Sequence, residues 1–470
     1  MKIGTPKKIM HLLRGPQRLL RSSFRILSCA GLFAVGVVAQ SPARPNVVFI
    51  MADDLGYGDL GCYGAPDIRT PNIDRLAREG VRMTDFYANG PICSPTRYGF
   101  MTGQYQQRGG LEYALYYQEM NGGLPPGGRT LGTDLQQSNY STALIGKWHI
   151  GYNPDRAPNQ QGFDDFMGLL GGNHHYFEHI DRLGVGDLFQ DEVPTSRPGE
   201  YSTDLFTGEA LGYLRQKHTE PFFLYLSYNA PHFPFQGPDD GDLEILPKSK
   251  EWSLGTRARY VSMVERLDEG VGTVLDELEK LGLAKNTLVV FTSDNGGDPR
   301  GRNLPLQGLK GSVWEGGIRV PCIARLPGRI ELGSTSAQVG ITMDWTASIL
   351  RLAGAKPRDL DGIDILPILT GERNEVNRTL FWRRVPEPVR PNVESWRAVR
   401  QGTWKLLQDP DQVPALYDLS SDISEQNDLA KRNPDLVAHL LRELDRWEAS
   451  LPPENPPAYQ VKPEAHHAIK

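Results

Sequence analysis

Acidic side chains directly follow two of the apolar runs in this sequence. Asp53 and Asp54 stand at the end of the first run, and Asp294 with Asn295 stands at the end of a later one. Three carboxylates and an amide oxygen make a hard, all-oxygen donor set that suits Ca²⁺ and, less well, Mg²⁺. Each pair alone has a simpler explanation, since an Asp pair often caps a helix and Asp-Asn-Gly often forms a turn. Their shared position at the ends of predicted core strands favours a metal site.

Basic side chains and histidines in other segments would suit an anionic ester beside such an ion. These residues are Arg97, Lys147, His149, His232 and Lys310. Taken singly, a lysine is most often a surface residue, and a histidine is most often structural. Together with the carboxylates, they predict one site that binds and cleaves an anionic ester.

Cys93 opens a pentapeptide, Cys-Ser-Pro-Thr-Arg, which ends at Arg97. This pattern resembles the one at which a separate maturation enzyme oxidises cysteine to Cα-formylglycine in the type I, cysteine-type sulfatases. The simpler alternative is a small buried thiol. The stretch Gly146–His149 resembles the second sulfatase signature, although Asn139 stands where that signature normally begins with glycine.

The resemblance spans nearly the whole chain after its N-terminal segment. Asp53–Asp59 near the start, and Leu416–Leu419 with Glu425 near the end, are both sulfatase-like. The similarity is to arylsulfatases and N-acetylgalactosamine-6-sulfatase-like proteins. It implies an alkaline-phosphatase-like α/β fold, a bound divalent metal, and a sulfated carbohydrate as the natural substrate. Small aryl sulfates would serve as artificial substrates.

The resemblance also implies which residues form the metal and nucleophile site. The implied metal ligands are Asp53, Asp54, Cys93, Asp294 and Asn295. Cys93, once oxidised and hydrated, would present two hydroxyls on one carbon, and one of them would attack sulfur. Asp294 would accept the proton of that hydroxyl. Arg97 and Lys147 would fix its orientation.

The remaining implied roles concern proton transfer and substrate binding. His232, together with Lys310, would protonate the departing alcohol. His149 would take the proton from the second hydroxyl, which restores the aldehyde. The implied substrate-binding residues are Lys147, His174, His232 and Lys310. His174 lies in the polar and aromatic loop 173–176, which could equally be an exposed loop with incidental histidines. Trp314 and Arg319 could face a sugar or simply pack.

Charge balance gives a reason for such a site to prefer a sulfate ester. The three aspartates carry about −3, the cations of Arg97, Lys147 and Lys310 about +3, and a divalent metal adds +2. The pocket is then left near +2, facing a monoanion in a partly desolvated place where Coulomb interactions are strong.

Two other functions stay open. The first is a phosphodiesterase or phosphonate monoester hydrolase, because relatives with these activities use the same formylglycine. A two-zinc phosphatase is disfavoured, because it would need further histidine ligands. A secreted carbohydrate-binding protein with an unmodified Cys93 is a different class. The complete set of proton-transfer residues argues against it, because binding alone would not need them.

Strands and helices are predicted to alternate along most of the chain. The predicted strands are 46–51, 83–87, 140–145, 222–228 and 287–292, and the predicted helices are 70–82, 94 onward, 130–137, 201–217 and 256–281. This order favours a mostly parallel sheet sandwiched by helices.

The pattern of predicted elements changes after residue 362. Short β-like pieces at 378–382, 396–400, 403–407 and 416–419 precede a helix at 434–451, which predicts a small antiparallel sheet with one helix. The predicted domains are 43–375 for the catalytic α/β unit and 376–452 for the small α+β unit. An extended tail follows at 453–470.

The N-terminal segment has the composition of a secretory signal. Residues 1–40 contain seven cations and no acid, so their removal takes the net charge from −6 to −13. An apolar run, 26–39, follows and is too short to span a bilayer comfortably. We therefore predict a signal peptide at 1–39, export to the periplasm or cell exterior, and no permanent anchor. A lipoprotein signal at Cys29 is the alternative.

The remaining composition excludes few classes of protein. Hydrophobic residues make up 39% of the chain and charged residues 23%, as in an ordinary globular protein rather than a disordered one. The acidic net charge gives no reason to expect a nucleic-acid partner. Cys62 and Cys322 could pair in an oxidising compartment, and the sequence leaves this open.

Overall fold

The predicted alternation of strands and helices builds one large sheet. The computed structural model describes residues 44–116, 121–387, 392, 394–409 and 412–452. Ten strands pair in the order β11-β2-β10-β9-β1-β8-β4-β5-β6-β7. Their bounds are β1 Asn46–Ala52, β2 Val81–Met83, β4 Ser141–Lys147, β5 Asp165–Leu169, β6 Phe189–Gln190, β7 Val193–Pro194, β8 Phe222–Ser227, β9 Thr287–Ser293, β10 Cys322–Arg325 and β11 Ser334–Ser336. The central strands β9, β1, β8, β4 and β5 are all parallel. Antiparallel pairs lie toward both edges.

Helices cover both faces of this sheet. The helices are α1 Pro71–Arg78, α2 Cys93–Thr102, α3 Leu131–Gln137, α4 Ser202–Leu214, α5 Arg257–Lys280, α6 Glu315–Ile318, α7 Thr342–Ala353, α8 Leu366–Leu369 and α9 Pro434–Ala449. Alternate side chains of β1 point to opposite faces. Val48 and Ile50 join a core with α1, α4 and α5, whereas Val47 and Phe49 join a core with α2, α3 and α7. The predicted α/β sandwich is confirmed.

A small antiparallel sheet follows, as predicted. It consists of β13 Thr379–Arg384, β14 Trp396–Gln401, β15 Trp404–Gln408 and β16 Ala415–Asp418, in sequential order. Helix α9 packs Leu440, Leu444 and Trp447 into the core beneath it. The boundaries proposed for the two domains stay a prediction. The predicted signal at 1–39 and the tail at 453–470 lie outside the described residues.

Two local predictions are wrong in detail. The single strand expected at 83–87 is two strands, β2 and β3 Phe86–Tyr87, because β2 pairs within the large sheet and β3 pairs with β12 Gly340–Ile341 in another sheet. Thr70 precedes α1, but its hydroxyl makes no cap hydrogen bond to the helix. It accepts from the amide of Gly61 instead. Among the described residues, no helix combines the length and apolarity that crossing a bilayer requires.

Candidate active site

The carboxyl ends of four neighbouring parallel strands carry the predicted site. Because Ala52 of β1 pairs with Ser293 of β9, the residues that follow these strands, Asp53 and Asp294, emerge side by side. Lys147 is the last residue of β4. The loop after β8 carries His232. Ligands commonly bind at this edge of an open parallel sheet.

Asp53 and Asp294 are each paired with a buried cation. Lys147 Nζ lies 2.6 Å from Asp53 Oδ2, and both side chains are fully buried. Arg97 Nη2 lies 2.9 Å from Asp294 Oδ2 and 3.9 Å from Asp53 Oδ1. Burial raises the pKa of Asp53 well above its usual range, and Lys147 offsets this only in part.

Asp54 occupies the centre of the site. Its backbone has a left-handed φ of 64°, which is uncommon for a residue other than glycine. Its carboxylate lies 2.7 Å from Lys310 Nζ, 2.8 Å from Asn295 Nδ2 and 3.5 Å from His232 Nε2. Burial alone would raise the pKa of Asp54, but Lys310 and then His232 lower it to about 2.

Cys93 meets these carboxylates directly. It is the first residue of α2, one residue before the predicted start of that helix. One ligand atom from each of Asp53, Asp54, Cys93 and His232 lies within 4.8 Å of the others. Cys93 is 2% exposed, yet it lines a cavity, so its sulfur is not sealed under aliphatic side chains.

The donor set fits a hard divalent ion. Asp53 Oδ1 and Asn295 Oδ1 are buried oxygens that find no hydrogen-bond partner among the described residues. Buried acceptors of this kind are costly unless a donor or a cation satisfies them. Both oxygens of Asp294 are engaged, Oδ1 by the amide of Asp54 and Oδ2 by Arg97.

Both predicted catalytic histidines reach the site. His232 Nδ1 lies 2.7 Å from the carbonyl of Phe233, so Nε2 faces Asp54. Burial and Lys310 lower the pKa of His232. Burial, followed by Lys147 and Arg97, holds the pKa of His149 well below its usual value.

Comparison with known protein families finds matches over most of this chain. Residues 45–355 match the family described as Sulfatase, and residues 310–450 match the one described as N-sulphoglucosamine sulphohydrolase, C-terminal. The chain belongs to the sulfatase family. It is a sulfuric ester hydrolase, as predicted, and membership of the family implies a formylglycine and a divalent metal.

Named relatives of this sulfatase cover most of its length. N-acetylgalactosamine-6-sulfatase of Rattus norvegicus is 32% identical over 92% of this chain and 90% of its own. Arylsulfatase J of Mus musculus is 32% identical, over 88% of this chain and 78% of its own. Steryl-sulfatase of Mus musculus is 34% identical over 71% of this chain and 66% of its own.

Solved structures agree with these relatives. The crystal structure of Ps i-CgsB in complex with k-i-k-neocarrahexaose has a TM-score of 0.79 and 33% identity, and the match covers 88% of this chain and 94% of the other. The phosphonate monoester hydrolase of Agrobacterium radiobacter has a TM-score of 0.66, with 86% and 96% covered. At 20% identity it shows only that the fold is shared.

A cavity of about 1020 Å³ opens over the sulfatase site. Its lining includes Cys93, His149, His232 and Lys310. Apolar and aromatic side chains form much of the rest, including Leu115, Tyr152, Leu170, Phe189 and Phe233. Its volume lies at the upper end of the range of about 300–1,000 Å³ that is usual for small-molecule sites.

His174 is not brought to this cavity. Its side chain is fully buried, with Nε2 2.8 Å from Ser202 Oγ and Nδ1 3.2 Å from the carbonyl of Asp187. Its neighbour Asn173 lines the cavity instead. Both ring nitrogens of His174 are therefore engaged away from the cavity, which leaves the predicted contact with substrate without support.

Trp314 and Arg319 pack rather than line the cavity. Trp314 contacts the rings of Trp396 and Tyr417, and the buried Arg319 pairs with Glu315. The packing alternative therefore describes both residues. Cys62 and Cys322 both carry free thiols.

Several residues that support the site were not predicted from the sequence to do so. Ser227 accepts a 2.5 Å hydrogen bond from Arg97, and Tyr176 donates to the carbonyl of His232. Asp187, Arg300 and other charged residues line the cavity. Only Ser227 could have been found, because a polar residue ends an otherwise apolar strand there.

Proposed function

We propose that this sulfatase hydrolyses sulfate monoesters of carbohydrates through a hydrated formylglycine derived from Cys93, with Ca²⁺ as the bound metal. One observation carries the proposal. Cys93 stands at the N-terminus of α2, on a cavity wall, with its sulfur within 4.8 Å of ligand atoms from Asp53, Asp54 and His232. A structural thiol would need neither the carboxylates nor the opening.

The metal would be held by oxygens that the fold already assembles. Asp53, Asp54 and Asn295 present carboxylate and amide oxygens, with Asp294 and the oxidised residue 93 beside them. When bound, the metal supplies Lewis acidity that polarises the sulfuryl oxygens. An all-oxygen set and its loop-borne ligands favour Ca²⁺ over Mg²⁺.

Cations of the chain would orient the substrate and the nucleophile. Lys310 Nζ, which lines the cavity, would bind a sulfate oxygen, and Lys147 would hold the attacking hydroxyl near Asp53. Asp294 would accept the proton of that hydroxyl. Arg97 keeps Asp294 in place through the paired hydrogen bonds described above.

The two histidines would move protons at opposite stages. His232, in its doubly protonated form, would donate the Nε2 proton to the oxygen of the departing alcohol, assisted by Lys310. His149 would accept the proton of the second hydroxyl as the bond between carbon and the sulfate oxygen breaks, which releases sulfate and restores the aldehyde for rehydration. Water is not needed as the nucleophile in this scheme.

The cavity and the relatives support a sulfated sugar as the substrate. A cavity of about 1020 Å³ exceeds the needs of a lone sulfate group, and its aromatic walls suit the apolar faces of sugar rings. The relatives named above include an N-acetylgalactosamine-6-sulfatase, and one similar structure holds a neocarrahexaose. Small aryl sulfates should serve as artificial substrates.

Maturation and location are part of the same proposal. A separate formylglycine-generating enzyme would oxidise Cys93 in the context of Pro95 and Arg97. The basic and apolar composition of residues 1–39 supports export to the periplasm or the cell exterior.

Two measurements on protein from a host with the maturation enzyme test the proposal. Mass analysis of the Cys93 peptide should find the aldehyde, which is lighter than the thiol. An aryl sulfate should turn over faster than the matched aryl phosphonate. A wholly unmodified thiol would favour a binding protein, and the reverse preference would favour a phosphonate hydrolase. A panel of defined sulfated sugars then identifies the sugar and the sulfate position.

A further inference from the structure

His149 is held by hydrogen bonds that lead back to the residue beside Cys93. Its Nε2 lies 2.9 Å from the carbonyl oxygen of Leu115, and the amide of Leu115 donates to Ser94 Oγ over 3.0 Å. The hydroxyl of Tyr152 donates to the same carbonyl over 3.3 Å. We propose that Ser94 and Tyr152 are positioning residues that fix Leu115, and through it the tautomer and orientation of His149.

The chemistry of the carbonyl decides the tautomer. A carbonyl oxygen only accepts hydrogen bonds, so Nε2 of His149 must carry the hydrogen. In a neutral imidazole the other nitrogen, Nδ1, then keeps its lone pair. Nδ1 is buried and has no hydrogen-bond partner in the part of the chain that the structure describes. It is therefore the atom left to accept a proton.

The imidazole has little freedom to turn away. His149 has a left-handed φ of 60°, and a Cβ placed on Gly172 would lie 2.6 Å from ring atoms Cε1 and Nε2. Gly172 thus packs closely against the ring. Among the described residues, the hydrogen-bond partner of the ring is the Leu115 carbonyl, whose position therefore controls the orientation of the ring.

Leu115 needs outside support to supply that control. Residues 114–116 belong to no helix or strand, so no regular hydrogen-bond ladder places this carbonyl. Ser94, in contrast, is fully buried in the first turn of α2. By accepting the hydrogen bond from the Leu115 amide, its hydroxyl fixes the loop relative to α2. His149 is therefore coupled to the helix that presents Cys93. Supporting hydrogen bonds of this kind commonly orient the functional histidines of a site.

The proposal rests on the proposed function only for the role of Nδ1 as the proton acceptor. The tautomer itself is a property of the folded chain. One of the tests therefore reads the tautomer without turnover, so that a failure of this proposal is distinguishable from a failure of the sulfatase proposal.

The first test compares Ser94→Ala with a matched variant, Ser348→Ala. Ser348 is also fully buried, and its hydroxyl also accepts from a backbone amide, that of Ile365 at 2.9 Å, but it lies in α7. Ser94→Ala keeps the cysteine, proline and arginine of the maturation pattern, and rates are expressed per aldehyde measured by peptide mass. We expect kcat to fall about tenfold with KM within twofold, less than the 10²–10⁴-fold that general acid–base catalysis itself contributes. Ser348→Ala should leave both constants unchanged.

A double-mutant cycle then asks whether Ser94 acts through His149. In a His149→Ala background, the further change Ser94→Ala should alter kcat by less than twofold. A full tenfold loss that persists in that background would overturn the proposal. So would a Ser94→Ala enzyme that matches Ser348→Ala, or one that changes KM alone.

The second test uses NMR on protein with ¹⁵N-labelled histidine. The signals of His149, among ten histidines, are assigned by their loss in His149→Ala. We expect the Nε2–H tautomer in the wild-type protein and in Ser348→Ala, and a mixture of tautomers in Ser94→Ala. An Nδ1–H tautomer in the wild-type protein, or unchanged signals in Ser94→Ala, would overturn the proposal. If Ser94→Ala does not fold, Tyr152→Phe undergoes the same measurements, with a smaller shift expected because Ser94 still holds the loop.

Discussion

Arg97 and Asp294 form a buried ion pair that joins the helix carrying Cys93 to the strand end carrying the predicted metal ligands. Arg97 Nε and Nη2 lie 3.0 and 2.9 Å from Asp294 Oδ2, and the two side chains are 1% and 0% exposed. Although burial opposes the charge, Asp294 raises the pKa of Arg97 above its ordinary value. The same ion pair therefore stabilises both the helix that presents the nucleophile and the predicted metal site.

Asp294→Asn should remove this support and the metal site together. Breaking one partner of a buried pair leaves an uncompensated charge, which typically costs about 3–5 kcal/mol of unfolding free energy. We expect calcium affinity, measured by isothermal titration calorimetry, and turnover to be lost in parallel.

A matched control separates stability from metal binding. Asp344 is also fully buried and paired with an arginine, Arg378 at 2.5 Å, away from the site. Asp344→Asn should destabilise the protein to a similar degree while calcium binding survives. Tight calcium binding by Asp294→Asn would contradict its assignment to the metal site.

Cys93→Ala should abolish turnover and leave the fold intact. The buried thiol is exchanged for another small side chain, so the melting temperature should change little, whereas no aldehyde can form. Aryl sulfate turnover and thermal unfolding check this. Cys62→Ala, at a half-buried free thiol, is the control and should stay active. Residual activity of Cys93→Ala would exclude the formylglycine mechanism.

His232→Ala should discriminate between leaving groups. A poor alcohol leaving group needs a proton, so kcat for substrates of this kind should fall about 10²–10⁴-fold. An activated nitrophenyl sulfate departs without that help and should lose far less. Steady-state rates on a series of aryl and alkyl sulfates give the comparison. Equal losses across the series would remove His232 from the acid role.

Asp187 should make the stability of the protein depend on pH. Burial raises its pKa from 3.8 to about 7, even though the amides of Leu170 and Gly171 donate to it. Because the pKa is higher in the folded state, the protonated carboxyl favours folding, and this contribution is present below about pH 4 and lost as pH rises through 7. Each pKa unit corresponds to about 1.4 kcal/mol.

Urea unfolding of the wild-type protein and of Asp187→Asn at pH 5 and pH 8 measures this effect. The wild-type protein should lose more unfolding free energy than the variant between the two values, since asparagine does not titrate. Any constant cost of the substitution, such as a weakened bond to Leu170 or Gly171, cancels in that difference. Parallel pH dependences would show that Asp187 titrates normally.

Much of the site could be predicted from sequence because its residues lie in short local patterns. Asp53 and Asp294 follow apolar strands, and parallel strands bring their carboxyl ends to one edge of a sheet whatever the loops do. Cys93 directly precedes the helix predicted from residue 94, and the observed helix begins at Cys93 itself. The nature of these residues also determined the chemistry, since oxygen donors and cations around a modifiable thiol suit few ligands.

Tertiary structure decided which polar residues reach the cavity. His174 had the composition of a substrate contact, but Ser202 and Asp187, brought from other segments, bury it and engage both ring nitrogens. Ser94 had no distinguishing signal, because its partner Leu115 lies in an irregular loop. Periodicity and motifs report contacts along one strand or helix. Burial and hydrogen bonding between distant segments depend on how those elements pack, and no local pattern encodes that packing.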